Sequence, residues 1–281
     1  MIHWFCDGEP IDSIPIDDRA IHYGDGLFET IAIRKGEPRL WQLHVKRLRH
    51  GCERLGIDLC AEEILYEGIT AALHEASVDP SYALAKLIVT AGSSSRGYKR
   101  PEQNRSRVLT GVTTAQSQPG KNYQQGVETI RCNTTLAAQP ELAGIKTLNR
   151  LDQVLGRNEW KDLDVFEGLM CDADGHLICG TMSNVFVIHG QSVSTAILDR
   201  CGVAGVMRQH VLDLFHANGR DIAERNIAWE DALSADEIFL TNSQFGVMPI
   251  QKCGTQHWQA GRVTREVMKL VAINGIEECG T

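Results

Sequence analysis

Apolar and polar positions along this chain recur at two periods, and the switches between them mark its elements. Leu27 to Ile33 reads as a strand, closed by the turn formers Lys35-Gly36-Glu37-Pro38. From Trp41 to Leu55 the period lengthens, with Trp41, Val45, Leu48, Cys52 and Leu55 on one side, which predicts an amphipathic helix. A second helix is expected from about Glu62 to Ala76. The β-rich run Ala83 to Thr90 follows, in which alternation sets Lys86, Ile88 and Thr90 opposite Ala85, Leu87 and Val89. A polar loop, Gly92 to Arg107, precedes a strand from Val108 to Thr114. Residues 116–122 are turn formers without periodicity and predict a linker between a smaller α+β domain, 1–115, and a larger β-rich domain, 123–281. In the second domain strands are predicted near Val127–Cys132, Gly168–Cys171, Val185–Ile188, Val193–Ile197 and Ile238–Thr241. Helices are predicted near Leu148–Trp160, Val206–Ala217 and Trp258–Ile273, and Asp172-Ala173-Asp174-Gly175 reads as a hairpin turn. The expected class is α+β with mixed sheets in two domains, and a ligand cleft would fall between them.

Composition narrows the function classes. With 281 residues and 43% apolar content the chain can bury a sizeable core. A formal net charge of −8 disfavours a nucleic-acid partner, while leaving room for a local basic pocket for a small anion. No apolar run has the length of a membrane span, and the opening Met1-Ile2-His3-Trp4-Phe5 lacks the order of a signal peptide, so the chain is expected in the cytoplasm. The nine cysteines are scattered, with no C-x-x-C pair, which suggests reduced thiols and no metal site.

Candidate chemistry centres on Lys146. Leu148, Leu151 and Leu155 fall at helical spacing after it, so this lysine is expected just ahead of a helix whose apolar stripe faces the core. A lysine held near packed structure has its free amine made available by desolvation, as a Schiff-base lysine requires; a solvated helix-start lysine is the bland alternative. Lys86 is its rival, pointing into a cleft or into solvent. Gly205-Val206-Met207-Arg208 opens a helix marked by Met207, Val211, Leu214 and Phe215. Its unpaired first N–H groups and dipole suit an anion, and Gly202 and Gly205 let a bulky phosphate approach. Every helix has such an end, so the feature alone proves nothing.

Three runs together, Gly144 to Leu151, Gly180-Thr181-Met182-Ser183-Asn184-Val185-Phe186 and Gly202 to Arg208, resemble the fold-type IV pyridoxal-phosphate enzymes. That family includes the branched-chain and D-amino-acid aminotransferases. Gly24-Asp25-Gly26-Leu27-Phe28-Glu29-Thr30 and Ser95-Arg96-Gly97-Tyr98 look most like its aminodeoxychorismate lyases. The resemblance covers nearly the whole chain. It implies a cytoplasmic homodimer that binds pyridoxal 5'-phosphate and removes pyruvate from aminodeoxychorismate to give 4-aminobenzoate for folate synthesis. Lys146 would carry the cofactor, its neighbours Asn149 and Leu151 matching the pattern Lys-x-Leu-Asn-x-Leu. Arg47, Ser243 and the backbone of Val206 and Met207 would hold the phosphate, and Thr30 would assist the leaving group. Arg96, Tyr98, Phe28 and Asn149 would contact substrate, the Arg96 loop reaching the neighbouring subunit.

One position departs from the family. The glutamate that usually keeps the pyridine nitrogen protonated is here Cys179, and a thiol cannot hold a pyridinium by charge. Elimination from aminodeoxychorismate creates an aromatic ring, so a lyase tolerates a poorer electron sink better than a transaminase does. The alternatives are an aminotransferase on the same fold, which an amino acid alone would convert to its pyridoxamine form, and a cofactor-binding homologue with weak or no activity.

Overall fold

The computed structural model describes residues 1–102 and 105–280, and the polar loop predicted at Gly92 to Arg107 lies in part outside them. The chain divides into two compact units. The first comprises Met1–Gln116 with Ile145–Asn149; the second comprises Ser117–Gly144 with Arg150–Thr281.

The first unit holds β1 (His3–Cys6), β2 (Glu9–Pro10), α1 (Arg19–Tyr23), β3 (Gly26–Arg34), β4 (Glu37–Pro38), α2 (Trp41–Leu55), α3 (Glu62–Glu75), β5 (Tyr82–Thr90) and β6 (Arg107–Thr114). Its strands form one antiparallel sheet in the order β2-β1-β6-β5-β3-β4. Helix α2 buries His44, Val45, Leu48, Gly51 and Cys52, the i, i+1, i+4, i+7, i+8 stripe of a core-facing helix. Gly51 is required there: a Cβ would stand 2.7 Å from a methyl of Leu27, so the helix could not lie so close to β3 with a larger residue. Alternation along β3 turns Leu27, Glu29 and Ile31 toward α2, and leaves Phe28 and Thr30 half-buried on the opposite face.

The second unit holds α4 (Gly120–Gln125), β7 (Val127–Arg131), α5 (Leu151–Arg157), β8 (Val165–Cys171), β9 (Leu177–Gly180), β10 (Asn184–His189), β11 (Ser192–Ala196), α6 (Val206–Ala217), β12 (Ala223–Arg225), α7 (Trp229–Leu233), β13 (Glu237–Asn242), β14 (Gly246–Cys253), β15 (Gln256–His257) and α8 (Arg262–Ile273). Its mixed sheet runs β12-β11-β10-β13-β14-β7-β8-β9, with parallel pairs at β11/β12, β14/β7 and β7/β8. A further pairing of Asn184 with Cys179 returns β9 to β10, closing a ring of six strands whose seam lies at Cys179. Strands β10, β13 and β14 are buried almost throughout, as expected where both faces are covered.

The expected α+β class with mixed sheets is what folds, but four details differ. The helix predicted over Leu148–Trp160 runs only Leu151–Arg157, and its apolar stripe faces outward: Leu151, Val154 and Leu155 are 74%, 50% and 58% exposed. Residues 146–148 are extended instead. The Phe28 N–H donates to the Lys146 carbonyl and the Leu148 N–H to that of Gly26, both at 3.0 Å, so this segment pairs with the edge of β3. For the same reason the lysine's segment belongs to the first unit, whereas the sequence reading placed it with the second. The predicted linker is shortened by α4, where Tyr123 is buried and donates to the Phe245 carbonyl. The last helix begins at Arg262, because Trp258 is held outside it by its own N–H on Gln251 and its indole N–H on Ala235.

Candidate active site

In the first unit the ring of Phe28 gathers both candidate lysines. Lys146 Nζ lies 4.3 Å from the ring centroid and Lys86 Nζ 5.1 Å. Thr30 stands directly across the β3/β5 ladder from Lys86. Lys146, Lys86, Phe28 and Thr30 therefore share one neighbourhood, and proximity alone does not choose between the amines. The backbone differs: Lys86 is in mid-strand, whereas Lys146 is placed by the short edge segment 146–148. Asn149 closes that segment by donating to the Gly24 carbonyl at 3.2 Å, so its amide serves as a backbone tether.

Across β3, on the α2 side, sits a cluster that the sequence reading missed apart from Arg47. Glu29 Oε1 accepts from Arg47 Nε at 2.8 Å, and Glu29 Oε2 accepts from both Arg47 Nη2 and His44 Nδ1. Glu29 and His44 are 1% exposed. Burial alone would push the Glu29 carboxyl up, but Arg47 and His44 outweigh it and hold it at about 2. Burial also lowers the pKa of His44, against the pull of Glu29, so the imidazole is neutral at pH 7 and donates through Nδ1. The periodicity of α2 could have flagged His44, which falls one position before Val45 on the buried stripe.

Arg96 and Tyr98 lie in an exposed loop, Tyr98 being 86% exposed. The loop is tied from beneath by Arg19, whose guanidinium donates to the Gly97 and Tyr98 carbonyls, to Ser94 Oγ and to Asp25. Asp25 also takes Arg100. Burial would raise the Asp25 carboxyl, but these two arginines hold it below the usual carboxylate range. The backbone of the loop is thus anchored while the Arg96 side chain projects outward.

In the second unit Val206 and Met207 form the first turn of α6, and no side chain caps that end. Asn184 shapes the approach. Its Oδ1 accepts the Gly205 N–H at 3.1 Å and its Nδ2 donates to the Val203 carbonyl at 2.9 Å, which secures the turn ahead of the helix. A Cβ at Gly205 would stand 2.1 Å from that Oδ1, so only glycine fits. Ser243 occupies the turn between β13 and β14, where Asn242 donates to the Met182 carbonyl. The Thr181–Ser183 turn is held by buried Glu167, which accepts from the N–H groups of Thr181 and Met182 and from the hydroxyls of Thr181 and Ser183. Burial pushes this carboxyl up, against the pull of those donors.

Cys179 is 5% exposed and packs with Cys132, Leu136, Trp160, Met170, Ile178 and Cys201. Burial, with Glu167 nearby, pushes its thiol well above the usual range, so it is a neutral group. Arg150 is the cation that acts on it, a guanidinium itself held below arginine's usual range by burial. Asp172, Asp174 and His176 could meet one metal ion, but they are engaged in building the hairpin turn and an Arg200 pair.

The sequence profile of the amino-transferase class IV family matches residues 26–253. This chain belongs to that family. It is 32% identical to an aminodeoxychorismate lyase of Vibrio harveyi, over 88% of this chain and 90% of that one. It is 29% identical to a D-alanine aminotransferase of Bacillus licheniformis, over 85% and 82%. Among solved structures, a 4-amino-4-deoxychorismate lyase of Pseudomonas aeruginosa superposes with a TM-score of 0.91 and 38% identity, covering 97% of this chain and 99% of that one. The class IV matches thus span both units of the fold.

Proposed function

We propose that this chain is a pyridoxal-5'-phosphate-dependent aminodeoxychorismate lyase, releasing pyruvate from 4-amino-4-deoxychorismate to leave 4-aminobenzoate, a step of folate synthesis. The observation that carries this reading is the 38% identity to a lyase over 97% of the chain. The residues present fit the cofactor in three respects: an amine on a short sheet-edge segment, a guanidinium fixed in its plane, and an uncapped helix start approached by glycines. In the fourth respect they supply a neutral thiol where a charge is usual.

When bound, the cofactor would act as an electron sink for the carbon bearing the substrate amine. Lys146 is the amine that would hold the cofactor, and the same amine would take the proton from that carbon. Thr30, on the same face of the sheet as Phe28, is the hydroxyl that gives a proton to the departing enolpyruvyl oxygen. Arg96 meets a substrate carboxylate, with Tyr98, Phe28 and Asn149 around the ring. On the resemblance, Arg47 would hold the phosphate, as would Ser243 and the N–H groups of Val206 and Met207, the dipole of α6 favouring an anion at that helix start. Cys179, a neutral thiol, would favour elimination over transamination, because aromatisation of the product ring lessens the demand on the sink.

The same reading makes the protein a homodimer in the cytoplasm. The support is the face of α5: Leu151, Val154 and Leu155, at i, i+3 and i+4, are all exposed in the single chain, and such a contiguous apolar face calls for cover. No helix among the described residues is long and apolar enough to cross a membrane.

The deciding experiment supplies enzymatically generated aminodeoxychorismate and follows pyruvate release together with the cofactor spectrum. Pyruvate is expected, and Lys146→Ala should abolish both its release and the absorption band of the linked cofactor. Borohydride labelling of Lys86 in place of Lys146 would overturn the lysine assignment. Conversion of the bound cofactor to its pyridoxamine form by an amino acid alone, without pyruvate release from aminodeoxychorismate, would make the protein an aminotransferase.

A further inference from the structure

We propose that Glu29, backed by His44, is a positioning residue that fixes the guanidinium of Arg47 for the cofactor's phosphate. The proposal rests on the reading of Arg47 as a phosphate ligand and adds to it the device that makes the arginine selective. Glu29 grips the Nε and Nη2 of Arg47 at once. A two-pronged grip on that edge fixes the plane of the guanidinium and turns its end-on edge, Nη1 with the second hydrogen of Nη2, away from the carboxylate. Glu29 is itself fixed, since His44 Nδ1 donates to its Oε2 at 2.6 Å. The three side chains come from two elements already packed together, Glu29 from β3 and the other two from adjacent turns of α2.

The cluster sets charge against geometry. Glu29 cancels the charge of Arg47, and His44 is neutral, so the group offers a phosphate little net attraction. The charged groups that act on His44 are Glu29, Arg47 and Lys146. If attraction of opposite charges governed cofactor binding, the carboxylate would be a liability and its removal would tighten the complex. If fixed geometry governs, removal frees a long side chain to wander and loosens it. A buried, fully engaged carboxylate of this kind is the arrangement expected when geometry governs. His44 Nε2 is a buried atom with no hydrogen-bond partner among the described residues, so the imidazole's only such contact is the one to Glu29.

The test compares two probes on the full-length apoprotein: pyridoxal 5'-phosphate, and pyridoxal, which lacks the phosphate. Glu29→Gln should weaken binding of pyridoxal 5'-phosphate at least tenfold and change that of pyridoxal less than twofold. Combined with Arg47→Ala it should weaken binding no further than Arg47→Ala alone, because Glu29 acts only through the arginine. His44→Asn, which keeps a donor close to the Nδ1 position, should bind like the natural protein, and His44→Leu should not. This second pair carries the same test if Glu29→Gln fails to fold. Tighter or unchanged binding of pyridoxal 5'-phosphate by Glu29→Gln, or equal loss of both probes, would overturn the proposal. If Arg47→Ala leaves the preference for the phosphorylated probe intact, Arg47 is no phosphate ligand and both readings fall. If Arg47→Ala removes that preference while Glu29→Gln keeps it, only the positioning role is wrong.

Discussion

Replacing Cys179 with glutamate tests the proposed place of this residue beside the cofactor ring. The site is almost sealed: Cys179 is 5% exposed and surrounded by apolar side chains and two other thiols. Two costs follow in the apoprotein. Enlarging a residue in such packing costs about 1–3 kcal/mol. Ionising a carboxylate there costs several kcal/mol more unless a partner is found. Glu167 shows the pressure in this unit, its carboxyl being pushed up by burial despite its array of donors. Arg150 is the available partner, since its charge already acts on the thiol. Cys179→Glu apoprotein should therefore melt several degrees below the natural protein.

Bound cofactor changes the balance if residue 179 faces the pyridine nitrogen. A carboxylate beside a protonated ring raises the ring's pKa by roughly 1–3 units, each unit worth about 1.4 kcal/mol. That bounds the gain in a step that depends on ring protonation at about ten- to a thousandfold. The expected result is that conversion of the bound cofactor by D- or L-alanine, followed by stopped-flow absorbance, rises at least tenfold. Pyruvate elimination should rise less, and cofactor should restore much of the lost melting temperature. A folded, cofactor-saturated variant with unchanged spectrum and rates would show that residue 179 does not touch the ring. Equal gains in both reactions would mean that the cysteine marks an impaired enzyme and not one tuned to elimination.

The other predictions are more local. Arg96→Ala should raise KM for the lyase reaction about ten- to a hundredfold, the loss of a charge-assisted pair, and leave the cofactor spectrum unchanged; a shifted spectrum with normal KM would refute its role as a carboxylate anchor. Glu167→Gln removes a carboxyl that burial pushes up but sets an amide N–H against the N–H of Met182, because the serine hydroxyl at that oxygen can turn and the backbone cannot. A net loss of about 1–3 kcal/mol is expected in denaturant unfolding, and a more stable variant would show that burial, not the donors, governs. Glu29 titrates at about 2 in the fold against an ordinary 4.5, so its contribution of about 3 kcal/mol is complete above pH 4.5 and is lost as pH falls through 2. Acid unfolding of Glu29→Gln should accordingly show a shallower slope across that window. Leu151→Asp with Leu155→Asp should yield monomers by light scattering if the α5 face is the subunit contact, and an unchanged mass would remove that support.

How much of this was legible in the sequence depends on what each residue's signal was made of. The limits of α2 and α6 are legible because helical period and burial agree along their length. The segment after Lys146 misled for an instructive reason. Leu148, Leu151 and Leu155 have helical spacing, which predicts burial in the same chain, whereas the structure uses 146–148 as a strand edge and turns the other two leucines outward. Periodicity reports that a face is apolar, not what covers it, and a face reserved for a second subunit looks the same as one facing the core. Glu29 and His44 have a position in the sequence but no role, Glu29 inside the Gly24–Thr30 motif and His44 on the buried stripe of α2. Each is an ordinary residue in an ordinary strand or helix, and their meaning lies in the approach of Arg47, 18 residues away from Glu29 in the chain. Asn184 shows the intermediate case: the motif marked its position, but only the contact with Gly205 shows why that glycine admits no side chain. Motifs therefore gave the groups proposed to touch the reacting molecules, while the groups that hold those in place emerged only from geometry. If positioning is what Glu29 supplies, selection on this site acts through residues that no search for reactive side chains would single out.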